Sequence, residues 1–140
     1  MKYAFLLFVS VLALSSCKKK DKFGEVPLPS EYIDNDFEAA KEESVKTGKP
    51  ILIDFYASWC SLCTSMKKET FNNQTVLDYL KNNFVVVFID VEKGDGVQIA
   101  SSYNAKHLNQ AILNANFSLK AKRAGKVPYD VFLDWVKANK

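Results

Sequence analysis

The sequence contains one histidine, His107, and only three cysteines, Cys17, Cys60 and Cys63. Structural zinc is ordinarily held by four side chains. Two cysteines and a histidine make three, and no second cysteine pair or histidine cluster supplies the fourth, which weighs against a dedicated metal centre. Long hydrophobic runs are also scarce. The most apolar stretch, Tyr3 to Leu14, is interrupted only by Ser10, and it falls short of the roughly 20 residues that cross a bilayer comfortably as a helix. There are no internal repeats and no long low-complexity tract to argue for disorder. Nor does one sign of charge dominate: 19 Lys and Arg against 16 Asp and Glu leave +3, with the excess near the N-terminus. That is too weak and too local for a nucleic-acid binder.

What is present fits one domain with a single core, since 140 residues leave room for little else. The first residues read as a targeting segment: Met1-Lys2 supplies a positive start, and the apolar run follows it. Leu14-Ser15-Ser16-Cys17 resembles the lipobox of bacterial lipoprotein precursors. The resemblance implies lipidation at Cys17, which would then begin the mature protein. The alternative is an ordinary secretory signal with an incidental Cys17. The expected organisation is a signal peptide over 1–16, a lipid-anchored tether over 17–30 and one domain over 31–140. With Cys17 set aside, the other two cysteines make one pair in an exported protein, where disulfides persist unless actively reduced. Lys18, Lys19, Lys20 and Lys22 sit on the tether, either touching anionic headgroups or simply solvated.

Along the domain the pattern alternates. A helix is expected from Glu31, with Phe37, Ala40 and Val45 inward, stopping at Gly48-Lys49-Pro50. Ile51 to Tyr56 is a short apolar β-leaning run, as in a strand buried on both faces. Ser61 to Glu69 reads as helix, and Asn73 as the N-cap of another with Val76, Leu77 and Leu80 on one face. Phe84 to Val91 is the strongest strand signal. Gly94-Asp95-Gly96 breaks it before a short helix over Val97 to Tyr103. Ala111 to Leu113 and Phe117 to Lys122 suggest an antiparallel hairpin. Pro128 suits the first turn of a last helix, whose apolar stripe takes in Val127, Val131, Trp135, Phe132 and Val136. The expected fold is α/β, a mixed central sheet flanked by helices.

Cys60-Ser61-Leu62-Cys63 falls where the buried strand gives way to a helix. The first N–H groups of a helix lack internal partners and carry partial positive charge, so a Cys60 thiolate is stabilised there below the free thiol value of about 8.5. Cys63 follows almost one turn later, within reach of the first sulfur. So short a loop constrains little of the unfolded chain, which favours a redox pair over a structural crosslink.

Asp54-Phe55-Tyr56-Ala57-Ser58-Trp59-Cys60-Ser61-Leu62-Cys63 resembles the active-site strand and helix start of the thioredoxin superfamily. Gly48-Lys49-Pro50-Ile51-Leu52-Ile53, Glu69-Thr70-Phe71 and Phe84 to Glu92 are similar to thioredoxin-like envelope proteins related to the C-terminal periplasmic domain of DsbD-type reductases. The resemblance runs from about Glu31 to the C-terminus and implies a thioredoxin-like fold. It makes Cys60 the exposed nucleophile and Cys63 the shielded resolving thiol. Asp54 matches the buried acid that moves the resolving cysteine's proton, its pKa raised by burial. Trp59 would flank the site and contribute to docking. Ser61-Leu62 replaces the Gly-Pro of thioredoxin, so the direction of electron flow is not fixed by the motif.

The family also carries a cis-proline facing the cysteines, which pairs with substrate backbone and keeps metals off the thiols. An ungapped match places that position at Asn109, in Lys106-His107-Leu108-Asn109-Gln110. A cis bond before a non-proline costs roughly 2.5 to 4 kcal/mol, so a trans bond and a reshaped loop are expected. Leu108 and Asn109 become candidate substrate contacts; His107 either approaches Cys60, completes a metal site with both sulfurs, or is simply a partly exposed loop residue, the last being favoured. The leading expectation is a lipid-anchored envelope thiol–disulfide oxidoreductase facing the periplasm. It would act on protein thiols and disulfides, take electrons from a DsbD-type membrane donor, and need no cofactor beyond the Cys60–Cys63 disulfide. A binding module that has lost turnover, or a dithiol that handles metal, are the competing readings.

Overall fold

The computed structural model describes residues 24–140; the signal segment and Cys17 lie outside the described residues. Its centre is strand β2 (Ile51–Tyr56), every residue of which is buried. Five of the six are apolar. Each large apolar side chain so buried contributes about 1.5–3 kcal/mol. On one side β2 pairs in parallel with β3 (Val85–Asp90), equally buried, and β3 pairs in parallel with the two-residue β1 (Ile33–Asp34). On the other side β2 pairs antiparallel with β4 (Asn109–Leu113), which forms a hairpin with β5 (Leu119–Ala124). The order across the mixed sheet is β1-β3-β2-β4-β5.

Because side chains alternate along a strand, β2 serves two cores. Ile51, Ile53 and Phe55 face one layer with Ala40 of helix α1 (Phe37–Thr47) and Ala100 of α4 (Gly96–Ser102). Leu52 and Tyr56 face the other, with Cys63 and Met66 of α2 (Ser61–Met66), Val76 and Leu80 of α3 (Gln74–Asn83), and Phe132 and Val136 of α5 (Tyr129–Ala138). Asp54 shares the parity of the second set. Among the described residues no helix is long and apolar enough to cross a membrane.

Several boundaries move for physical reasons. Helix α1 begins at Phe37, not Glu31: Asp36 caps it by accepting from the Ala39 N–H at 2.9 Å, and the preceding Ile33–Asp34 joins the sheet. Val45, expected inward, is 74% exposed. Ser44 takes the inward position, its hydroxyl satisfied by the Lys49 carbonyl at 2.6 Å across the turn that Gly48 makes in left-handed conformation (φ 71°). Val131 is likewise outward at 51% exposure, and Leu133 is buried in its stead. The helix expected through Glu69 ends at Met66 and continues as a π-helical turn, Lys67–Phe71. Lys67, Thr70 and Phe71 are buried, continuing the inward face of Cys63 and Met66. Upstream of Glu31, Leu28 packs against the second core and Asn72 Nδ2 donates to the Pro27 carbonyl.

Gly96, at the start of α4, closes against the end of β3. A Cβ there would stand 2.0 Å from the Asp90 carbonyl oxygen, a fixed backbone atom. Gly96→Ala should therefore destabilise the domain by about 2 kcal/mol or more, whereas Val97→Ala, on the exposed side of the same turn, should change stability by under about 0.5 kcal/mol. Urea unfolding of both variants tests the pair.

Candidate active site

Where β2 ends, a turn through Ala57, Ser58 and Trp59 delivers Cys60 to the N-cap of α2. Its backbone is extended (φ −76°, ψ 103°), and its Sγ accepts a hydrogen bond from the Cys63 N–H at 3.1 Å. The two sulfurs are joined in a disulfide, with Cα atoms 5.2 Å apart. Cys60, expected to be exposed, is buried at 5% beside Cys63 at 1%, because its Sγ is tied to the other sulfur and to the Cys63 N–H. Both lie close to the protein interior. Cys60 Sγ sits at the helix end where N–H groups without internal partners carry partial positive charge.

Asp54 lies on β2 under α2, buried, on the same face as Cys63 and Met66. Its Oδ1 accepts from Gln110 Nε2 at 2.8 Å. Burial, which penalises the charged form, pushes its pKa up from 3.8 to about 7, while the Gln110 hydrogen bond and then the nearby charges of Arg123 and Lys67 pull the other way. A carboxyl group poised near neutrality both takes and returns a proton.

Trp59 forms the rim and is 59% exposed. Its Nε1–H donates to Glu92 Oε2 at 2.9 Å, and its ring stands edge-on to His107 with centroids 4.7 Å apart. His107 is thus a half-buried loop residue held by an aromatic contact. Among the described residues no three His, Cys, Asp or Glu side chains are grouped as metal ligands.

A family model described as Thioredoxin-like matches residues 32–134. The chain belongs to the thioredoxin-like family. It is 35% identical over 72 residues to the thiol:disulfide interchange protein DsbD of Campylobacter jejuni, a match spanning 51% of this chain and 12% of that protein. Among solved structures, a thioredoxin from Thermus thermophilus superposes with TM-score 0.69 at 18% identity, covering 77% of this chain and 86% of the other. The oxidised DsbD C-terminal domain of Neisseria meningitidis superposes with TM-score 0.64 at 23% identity, covering 77% and 99%. These likenesses agree on the fold. The chain spans only about an eighth of the DsbD sequence it matches.

Against the thioredoxin-like pattern, the loop facing the disulfide is rebuilt. No peptide bond among the described residues is cis. The reshaping is concentrated at Leu108, which adopts a left-handed backbone (φ 63°) at a cost of roughly 1–2 kcal/mol for a non-glycine residue. Its N–H donates to the Phe55 carbonyl at 2.7 Å and its carbonyl accepts from the Gly125 N–H at 2.9 Å. The N–H is therefore unavailable to a substrate strand. Asn109 closes the turn, donating its N–H to the Lys106 carbonyl and accepting the Lys106 N–H on Oδ1 at 2.8 Å, before it opens β4.

Four residues around the site were not singled out from sequence: Lys67, Glu92, Gln110 and Arg123. Gln110 carried a faint signal, a polar residue beside the apolar Ala111 to Leu113. Its partner depends on strand register, which no local pattern encodes.

The elevated Asp54 pKa has a stability consequence. Between 3.8 and about 7 the folded protein holds a proton that the unfolded chain has released, so folding stability falls as pH rises through that window. Asp54→Asn, which keeps an oxygen for Gln110, should therefore be more stable than the parent at pH 8 by about 2–4 kcal/mol and nearly equal to it at about pH 4. Urea unfolding at the two pH values measures the difference.

Proposed function

We propose that this protein is a thiol–disulfide oxidoreductase that reduces, or relays electrons to, protein disulfides through Cys60 and Cys63. The observation that carries the reading is the Cys60–Cys63 disulfide at the strand–helix junction, on the same sheet face as the buried Asp54. In the dithiol form, the Cys60 thiolate attacks one sulfur of a substrate disulfide. That S–S bond breaks, a Cys60–substrate disulfide forms, and the first substrate thiolate leaves and takes up a proton. Cys63 then gives its proton to Asp54 and attacks the Cys60 sulfur. The second substrate thiolate departs and is protonated, and the Cys60–Cys63 disulfide closes. Two electrons have passed to the substrate, and a thiol reductant must return them.

The name of the DsbD relatives, thiol:disulfide interchange protein, supports this chemistry, and the sequence resemblance to DsbD-type reductases suggests a membrane electron donor of that type as the partner. The placement proposed is the bacterial envelope, with the domain facing the periplasm on a lipid carried by Cys17. The sequence of the first residues supports it. No resident cofactor is invoked. Trp59 and Leu108 border the disulfide as substrate contacts, and Asn109 acts through the shape of the loop. One observation favours a second reading, a thioredoxin fold that binds a partner without turnover: the Leu108 N–H, on the loop expected to meet substrate backbone, is already used inside the chain.

Trapping separates the two. Cys60→Ser should lower disulfide reductase activity by at least about 100-fold. Cys63→Ala should accumulate covalent partners on Cys60 in cells, visible as complexes that dissolve on addition of a thiol reductant. A Cys63→Ala protein that captures nothing, together with an inactive parent, would establish the binding module.

A further inference from the structure

Asp54, Gln110 and Arg123 stand in one row across three adjacent strands. Asp54 on β2 is the register partner of Gln110 on β4, and Gln110 is the partner of Arg123 on β5. Hydrogen bonds run along the row. Arg123 Nη1 donates to Gln110 Oε1 at 2.7 Å and to the Gly125 carbonyl at 3.0 Å; Gln110 Nε2 donates to Asp54 Oδ1 at 2.8 Å. The same Nε2 lies 3.5 Å from the sulfur of Met66, three residues after Cys63.

The amide orientation is not arbitrary. A guanidinium has donors and no acceptor, so it must face the amide oxygen, which turns the amide NH2 toward Asp54. Gln110 is wholly buried, and Arg123 is half-buried with its guanidinium 5.7 Å from the Trp135 ring centroid. The row therefore connects a half-solvated positive charge to a carboxyl group that water does not reach.

We infer that Gln110 and Arg123 are positioning residues for proton transfer at Asp54: Arg123 locks the Gln110 amide, the amide fixes Asp54 Oδ1, and together they set the pH at which Asp54 accepts the Cys63 proton. This rests on Asp54 being the acid–base group of the resolving step. The charged groups that bear on Asp54 are Arg123 from β5 and Lys67 from the turn after α2, and Cys63 of α2 lies on the same sheet face. On the β3 side its register partner is the apolar Phe88. Both Gln110 and Arg123 stabilise the carboxylate, so losing either leaves Asp54 protonated to higher pH.

The test uses the full chain in its dithiol form, mixed with dithiobis-nitrobenzoate. Attack by Cys60 releases one coloured thiolate, and resolution by Cys63 releases the second. The second phase is followed from about pH 5 to pH 9. Arg123→Met and Gln110→Leu should move its midpoint upward by about one unit, slowing it about fivefold at pH 7 and about tenfold at about pH 5 to 6, while the first phase keeps its own pH profile. Arg123→Lys, which retains a charged donor to the amide oxygen, should recover at least half of the shift. Asp54→Asn should remove the inflection near neutrality from the second phase, leaving only a rise toward alkaline pH. If Asp54→Asn does so but folded Arg123→Met keeps the parent's midpoint, the positioning role is wrong and the Asp54 role stands. If Asp54→Asn leaves the second phase unaltered, both are wrong. Arg123, at the less buried end of the row, decides the matter should Gln110→Leu fail to fold.

Discussion

Asp54 occupies the middle of the central strand, in a place otherwise filled by apolar side chains, and the arrangement around the site follows from keeping a carboxyl group there. Ile51, Leu52, Ile53, Phe55 and Tyr56 gain from burial what holds β2 between its neighbours. One ionised carboxylate in the same strand works against that gain. The strand tolerates it because the acid can remain neutral through much of the pH range, with its pKa near 7, and because Gln110 supplies a hydrogen bond from the adjacent strand. Burial that costs stability thus yields a group able to exchange a proton near neutrality.

The same sheet explains the altered loop. Leu108 leads into β4, the strand that carries Gln110, and its backbone is tied to both neighbours: to Phe55 on β2 and to Gly125 just beyond β5. Gly125 in turn accepts from Arg123. The loop facing the disulfide is therefore braced by the residues that close the Asp54 row, and its left-handed Leu108 is offset by two good main-chain bonds. A cis-proline shapes this region elsewhere in the family; here hydrogen bonds within the chain hold a trans loop in place.

Much of this was legible in the sequence where the signal is local. The short apolar run at Ile51 to Tyr56, interrupted only by Asp54 and preceded by Gly48 and Pro50, marks β2 to the residue. Asn73 caps α3 through Oδ1, and Pro128 precedes α5, as their residue types require. Cys60 and Cys63 were legible from their spacing and strand context, and Asp54 and Trp59 from the resemblance to the thioredoxin superfamily. What escaped is what depends on distant partners. The two residues of β1 are a strand only because β3 lies beside them. Val45 and Val131 look like core residues by hydropathy, and only packing shows that their neighbours face inward instead. Gln110 and Arg123 matter through cross-strand register, 56 and 13 residues from their respective partners, a distance at which no sequence periodicity operates.

The chemistry at the disulfide is bound to that register. Opening it creates two thiols close to one buried carboxyl group, and the two cannot be treated as independent of it. A thiolate and a carboxylate held in one apolar layer repel each other with little water to screen them, which couples two such groups. Cys60 escapes this coupling more fully, since its sulfur caps a helix and sits nearer the surface. In the proposed mechanism Cys60 attacks from the helix terminus, and Cys63 passes its proton to the buried row at Asp54. The asymmetry that a two-step exchange requires comes from the helix terminus on one side and the buried row on the other.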